Sequence, residues 1–170
     1  MKRLVSKPSD ERTTPAELFA IADRLWGPFT LDAWATRRNA LCPHFYTAQT
    51  SALRHRWRGR VWANPPYSRG WLSLALGCAW AQVADGRAEL VCNLVPADTS
   101  TAWWHEWVVG RADVCGKARR CEFGWRISTQ HRRHVCEVVL LEGRWAFNGQ
   151  SDEAKFGSAF VTYLPPRGRA

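Results

Sequence analysis

An amide, two prolines and a phenol stand in a row at Asn64-Pro65-Pro66-Tyr67, and together they offer what a planar amine needs. The Asn64 side-chain oxygen and the Pro65 backbone carbonyl both accept hydrogen bonds. An exocyclic amine on a nucleobase carries two N–H donors and a lone pair drained into the ring. Donating both hydrogens to those two oxygens pulls the nitrogen toward tetrahedral geometry and frees the lone pair for attack. Tyr67 supplies an aromatic face for the ring to stack on. Pro65 and Pro66 keep the loop stiff, because each lacks an N–H and has φ fixed at about −65°.

Two adjacent prolines fit neither a helix interior nor a central strand, so regular structure must stop on either side of them. Arg60 to Ala63 reads as a short buried strand, and Ser68 to Val83 as a helix with Ser68 at its N-cap. The amide and the phenol then lie at the carboxyl end of a strand, where open α/β sheets bind ligands. Upstream, Thr14-Pro15-Ala16-Glu17 reads as a capping box; Leu18, Phe19, Ala22 and Leu25 follow at helical spacing to a stop at Gly27. Phe29 to Asp32 reads as the first core strand, ending in an acid. Downstream, Trp71, Leu72, Ala75, Leu76, Ala79 and Val83 give that helix a broad apolar stripe. Ala88 to Val95 is a near-continuous apolar run, as in a strand covered on both faces. A loop over Pro96 to Thr101 follows, then a Trp-rich helix at 103–107, and strands over Val138–Leu141 and Phe156–Tyr163. Strands separated by helices predict an α/β fold: a three-layer, Rossmann-like domain with a mostly parallel sheet.

The 170 residues carry a net charge of +9, and of the 24 basic residues only Lys2, Lys7, Lys117 and Lys155 are lysines. Arginine forks pair bidentately with phosphate, which makes nucleic acid the first candidate partner. GC-rich coding also inflates arginine, so the balance alone does not decide. Some of the 11 tryptophans exceed what packing demands and are available to stack on bases. Residues 1–12 read as a polar arm, 13–164 as the domain and 165–170 as a basic tail. Cys115, Cys121, His131, His134 and Cys136 lack the short paired spacing of zinc ligands, so no metal is expected. No leader or membrane-spanning run is recognisable, and the cysteines form no disulfide framework; a reducing cytoplasm is expected. No obligate protein partner is indicated.

The Asn64–Tyr67 loop resembles motif IV of amino-methyltransferases that use S-adenosylmethionine. The chain as a whole is similar to the phage-type family of DNA N6-adenine methyltransferases. The similarity implies an S-adenosylmethionine cofactor, DNA as partner and a catalytic set of Asn64, Pro65, Pro66 and Tyr67. It implies that Thr14 and Pro15 hold the methionine end of the cofactor. Leu31-Asp32-Ala33-Trp34-Ala35 matches the family's Leu-Asp-x-x-Ala stretch, so Asp32, Ala35 and Asn39 are implied cofactor contacts, as is Asn64. Pro96 to Thr101 matches a substrate loop, with Asp98 or Thr99 positioning the base.

Two departures stand out. Phe45-Tyr46-Thr47, Leu53 and Trp57 follow the family pattern, yet Gln49 to Ala52 lacks the family's acid. The closing segment, Arg144 with Phe147 and Gly149, comes late, so residues at about 111–136 look inserted. That stretch mixes arginines with Phe123 and Trp125, which suits a DNA-gripping element using Arg119, Arg120 and Trp125 together with Arg144; a solvated hairpin accounts for the same residues. Other planar amines remain as substrates: cytosine N4, an RNA base or a protein glutamine. A non-catalytic nucleic-acid-binding module on the same fold would explain the missing acid.

Overall fold

A computed structural model describes residues 13–48, 50–68, 70–109, 118–131, 134–147 and 156–165. The expected N-terminal arm, nearly all of the basic tail, Gly149 and Cys115 lie outside the described residues. Helix α1 (Ala16–Trp26) leads into a two-residue strand β1 (Leu31–Asp32), followed by β2 (His44–Phe45) and β3 (Arg60–Ala63). Helix α2 (Trp71–Ala84), strand β4 (Leu90–Pro96) and a short helix α3 (Ala102–Trp104) come next, and α3 runs on as a π turn over His105–Val109. Strands β5 (Ala118–Cys121), β6 (Gly124–His131), β7 (His134–Leu141) and β8 (Ser158–Leu164) are the remaining elements among the described residues.

All eight strands form one sheet in the order β2-β1-β3-β4-β8-β7-β6-β5. The first four are parallel. From β4 onward every pairing is antiparallel. The expectation of a mostly parallel sheet is thereby corrected. A parallel step needs a crossover of a dozen or more residues, whereas only Glu122 and Phe123 separate β5 from β6 and only residues 132 and 133 separate β6 from β7. Those connections permit hairpins alone. The segment that reads as an insertion thus supplies β5 and β6, which extend the sheet.

Strict alternation along the strands builds two apolar layers. Val61, Ala63, Val91, Val95, Ala159, Val161 and Tyr163 face α2 and the π turn. Trp62, Leu90, Cys92, Leu94, Val139 and Phe160 face α1. The result is helix, sheet, helix. Trp62 is fully buried and meets Phe19 edge-on, ring centroids 5.4 Å apart. On the other face, the buried amide of Gln82 accepts from the Trp57 backbone N–H at 3.1 Å and donates to the His55 carbonyl at 2.9 Å. It thereby ties an irregular segment to α2 where no strand ladder exists. No described helix is long and apolar enough to cross a membrane.

Two helix starts differ from expectation. Helix α2 begins at Trp71, not Ser68: Gly70 occupies the N-cap at φ +86, a backbone conformation glycine tolerates, and the Ser68 carbonyl accepts from the Trp71 N–H at 3.0 Å. At α1 the N-cap is Pro15, and no side chain caps the helix. The Thr14 hydroxyl is engaged elsewhere, as described next.

Candidate active site

The parallel half of the sheet brings three loops to one edge. Register pairs Asp32 with Trp62 and Ala63 with Asn93. The residues that follow β1, β3 and β4 therefore emerge side by side. Asn64 stands one residue beyond β3, and its Nδ2 donates to the Thr14 hydroxyl at 3.0 Å, fifty positions back in the chain. The Tyr67 hydroxyl lies 3.0 Å from Asn64 Oδ1 and 3.1 Å from the Leu94 carbonyl, and donates toward both. Thr14, Asn64, Tyr67 and the end of β4 form one hydrogen-bonded chain.

This chain fixes the amide. With Nδ2 turned to Thr14, Oδ1 faces the Tyr67 hydroxyl, and an amide oxygen has room for a second hydrogen. Tyr67 does more than offer a ring face. Its hydroxyl braces Asn64, and its ring meets Phe156 edge-on at 5.9 Å.

Asp32 is 3% exposed. Its Oδ1 accepts from the Trp34 N–H at 3.3 Å and its Oδ2 from the Leu41 N–H at 3.2 Å. Burial pushes its carboxyl up from an ordinary 3.8 to about 6, against the lowering effect of those two N–H groups. Within the loop it braces, Ala35 is buried and its N–H donates to the Tyr46 carbonyl at 3.0 Å. Asn39 Oδ1 accepts from the Thr36 N–H at 2.6 Å and the Thr36 hydroxyl at 2.9 Å. Beyond β4, Asp98 and Thr99 are exposed. Asp98 Oδ1 accepts from the Ser100 N–H and hydroxyl, shaping that turn.

The basic and aromatic candidates share this edge but lie further along it. The start of β6 pairs with the end of β7, and β7 and β8 carry the register back to Pro96. Trp125 is 46% exposed. It sits four strands from β3, about 20 Å at the usual strand spacing. Arg120 pairs across from Trp125 and forms an exposed ion pair with Glu142 at 2.6 Å. Arg144 is exposed just beyond. The Arg119 side chain lies outside the description.

Sequence reasoning missed two features. Trp34 and Trp71 meet edge-on at 6.2 Å between the β1 and β3 loops, and both indole N–H groups are buried without an acceptor among the described residues. The second is a cavity of about 750 Å³ between the turn carrying Thr36, Arg37 and Arg38 and the segment carrying Phe45, Thr47 and Thr50. The Arg37-Arg38 pair was the one available signal for it.

This is an α/β protein whose polar and aromatic loops gather at the carboxyl ends of parallel strands, the usual ligand edge of such sheets. The chain belongs to the DNA N-6-adenine-methyltransferase (Dam) family, whose sequence profile matches residues 2–147. It is 38% identical over 97 residues to the DNA N-6-adenine-methyltransferase of Escherichia phage T1, a match covering 55% of this chain and 39% of that protein. It is 38% identical over 65 residues to YfdM of Escherichia coli (strain K12), described as a candidate methyltransferase; that match covers 34% of this chain and 71% of YfdM. The match thus spans well under half the length of the phage T1 relative.

Proposed function

We propose that this chain transfers a methyl group from S-adenosylmethionine to the exocyclic N6 amine of an adenine in DNA. The observation that carries the reading is the Thr14–Asn64–Tyr67 hydrogen-bond chain at the end of β3. It holds an acceptor oxygen in a fixed direction beside a stiff Pro-Pro turn. The Dam family match and the phage T1 relative support adenine in DNA as the substrate.

The residues present suit the cofactor. Between the β1 and β3 loops lie two buried indole donors without acceptors among the described residues, and a buried carboxyl. A zwitterionic sulfonium brings a carboxylate for donors and positive charge for Asp32. When bound, S-adenosylmethionine supplies the electrophilic methyl group. We assign Thr14, Pro15, Asp32, Ala35, Asn39 and Asn64 to its neighbourhood, with Asp32 and Asn39 acting by shaping the loop.

The chain's own work is alignment. Asn64 Oδ1 and the Pro65 carbonyl accept the two amine hydrogens and direct the lone pair; Pro66 fixes the turn and Tyr67 both braces Asn64 and packs on the base. The target adenine must leave the duplex stack to reach them. Fixing nitrogen against the methyl carbon accounts for up to about 7–11 kcal/mol of barrier in favourable cases. Once alkylated, the amine is cationic and releases its proton to water, so an uncharged amide suffices at position 64. Asp98 and Thr99 flank the base. Arg119, Arg120, Trp125 and Arg144 extend the contact along the duplex; the Arg120–Glu142 pair is exposed, worth at most about 1 kcal/mol, and yields readily to phosphate.

The test is direct. Protein, unmethylated DNA and tritiated S-adenosylmethionine are incubated and the DNA is digested to nucleosides. Label in N6-methyl-2′-deoxyadenosine is expected, and label only in a cytosine derivative or none in DNA would overturn the proposal.

A further inference from the structure

The cavity between the β1 and β2 loops has the wrong charge for a site built around a carboxylate. Thr36, Arg37 and Arg38 line it from a turn that Asn39 clamps through Thr36. Phe45 contributes an aromatic ring, and the Thr47 and Thr50 hydroxyls stand within 3.3 Å of each other. No acidic side chain is among its described lining residues. Residues 49–52, where the family carries an acid, hold none in this chain, and Thr50 from that segment faces the cavity. Five other described arginines (24, 60, 87, 120 and 126) pair with carboxylates; Arg54, Arg56, Arg58 and Arg144 have no ion pair among the described residues and lie outside the cavity lining. Among the described residues, no ion pair holds Arg37 or Arg38. Two guanidinium groups therefore line a cavity in which no described carboxylate meets them.

We propose that this cavity is a nucleotide-phosphate site, in which Arg37 and Arg38 grip a phosphate and Phe45 packs against the nucleoside. Planar guanidinium forks match phosphate bidentately. The volume of about 750 Å³ lies within the range of small-molecule sites, roughly 300–1,000 Å³. The cavity opens one to two strand spacings from β3, about 5–10 Å. Its occupant therefore lies beside the Asn64 loop and competes with, or adjoins, whatever binds there. Two sources supply the chemistry: a free adenine nucleotide, or a phosphate of the DNA strand next to the extruded base. The proposal rests on the methyltransferase reading only for its choice of adenosine compounds as probes.

Calorimetry on the full chain, without methyl donor, compares ADP with adenosine. ADP is expected to bind about tenfold tighter or more, and the double variant R37Q/R38Q to erase that advantage. Both arginines are exposed, so the variant is expected to keep the wild-type circular dichroism spectrum; R37K/R38K, which restores charge without the fork, is expected to recover part of the gain. Equal affinities for ADP and adenosine, no ADP binding at millimolar concentration, or wild-type ADP affinity in R37Q/R38Q would each overturn the proposal. A short oligothymidylate distinguishes the sources: displacement of bound ADP assigns the site to the DNA strand, and lack of displacement assigns it to a free nucleotide. ADP binding is read without turnover. It therefore stands or falls separately from methylation.

Discussion

Replacing Asp32 by Asn separates the electrostatic role of this carboxyl from its role as a loop brace. Its pKa is raised by burial from 3.8 to about 6. Between those values the folded chain keeps a proton that the unfolded chain releases. The associated stability is fully present below pH 3.8 and is lost as pH rises through about 6. At full ionisation the loss amounts to about 3 kcal/mol. Asparagine carries no such dependence. It does, however, offer one acceptor oxygen where Asp32 offers two, so either the Trp34 or the Leu41 N–H loses its partner, at about 1–3 kcal/mol. Asp32→Asn should therefore be clearly less stable than wild type near pH 4. The gap should close, or invert, by pH 7.5, with a relative swing of about 2 kcal/mol. Urea unfolding of both proteins across this range reads the swing directly, because other titrating groups cancel between them. A difference in stability that stays constant from pH 4 to 7.5 would refute the reasoning.

Further outcomes are expected at four other places in the chain. Asn64→Ala and Tyr67→Ala should abolish methylation with the fold intact by circular dichroism. Tyr67→Phe, which keeps the ring but removes the hydroxyl's bonds to Asn64 Oδ1 and the Leu94 carbonyl, should lower kcat by about tenfold with little change in KM for DNA; wild-type kcat would remove the hydroxyl's bracing role. Gly77→Ala should lower stability by about 1–2 kcal/mol, since the new methyl meets the Trp107 ring at 2.8 Å. That ring is pinned because its N–H donates to Ser73 at 2.9 Å, and an unchanged Tm would show that it gives way. Arg126→Met removes the guanidinium partner of the buried Glu137, whose carboxylate also accepts from the Trp26 indole, and should cost about 3 kcal/mol. Adding Glu137→Gln should restore much of the loss in a double-mutant cycle.

Much of the site can be read along the chain, because its grammar is local. The Pro-Pro pair forces a loop wherever it occurs, and the apolar run before it and the helical stripe after it place that loop at a strand's end. Strands β3, β4 and β8 and helices α1 and α2 lie where their periodicities predict, since burial of one face or both is written directly in residue order. Strands β1 and β2 escape accurate bounds because two residues carry no period. The start of α2 was misplaced because Ser68 has the side chain of a cap, whereas the backbone torsion at Gly70 decides where the helix begins.

Residue order alone sets the composition of the candidate site: an acceptor amide, a rigid turn, a ring and an acid at the end of β1. Tertiary structure alone decided how they meet. Alternating apolar residues look the same in parallel and antiparallel strands, so the antiparallel seat of β8 between β4 and β7 depends on partners distant in the chain. Thr14 is chemically equipped to cap its own helix or to hold Asn64, and local sequence cannot choose between them. The choice falls to Asn64 because the sheet carries β3 to the start of α1, placing its Nδ2 3.0 Å from the threonine hydroxyl.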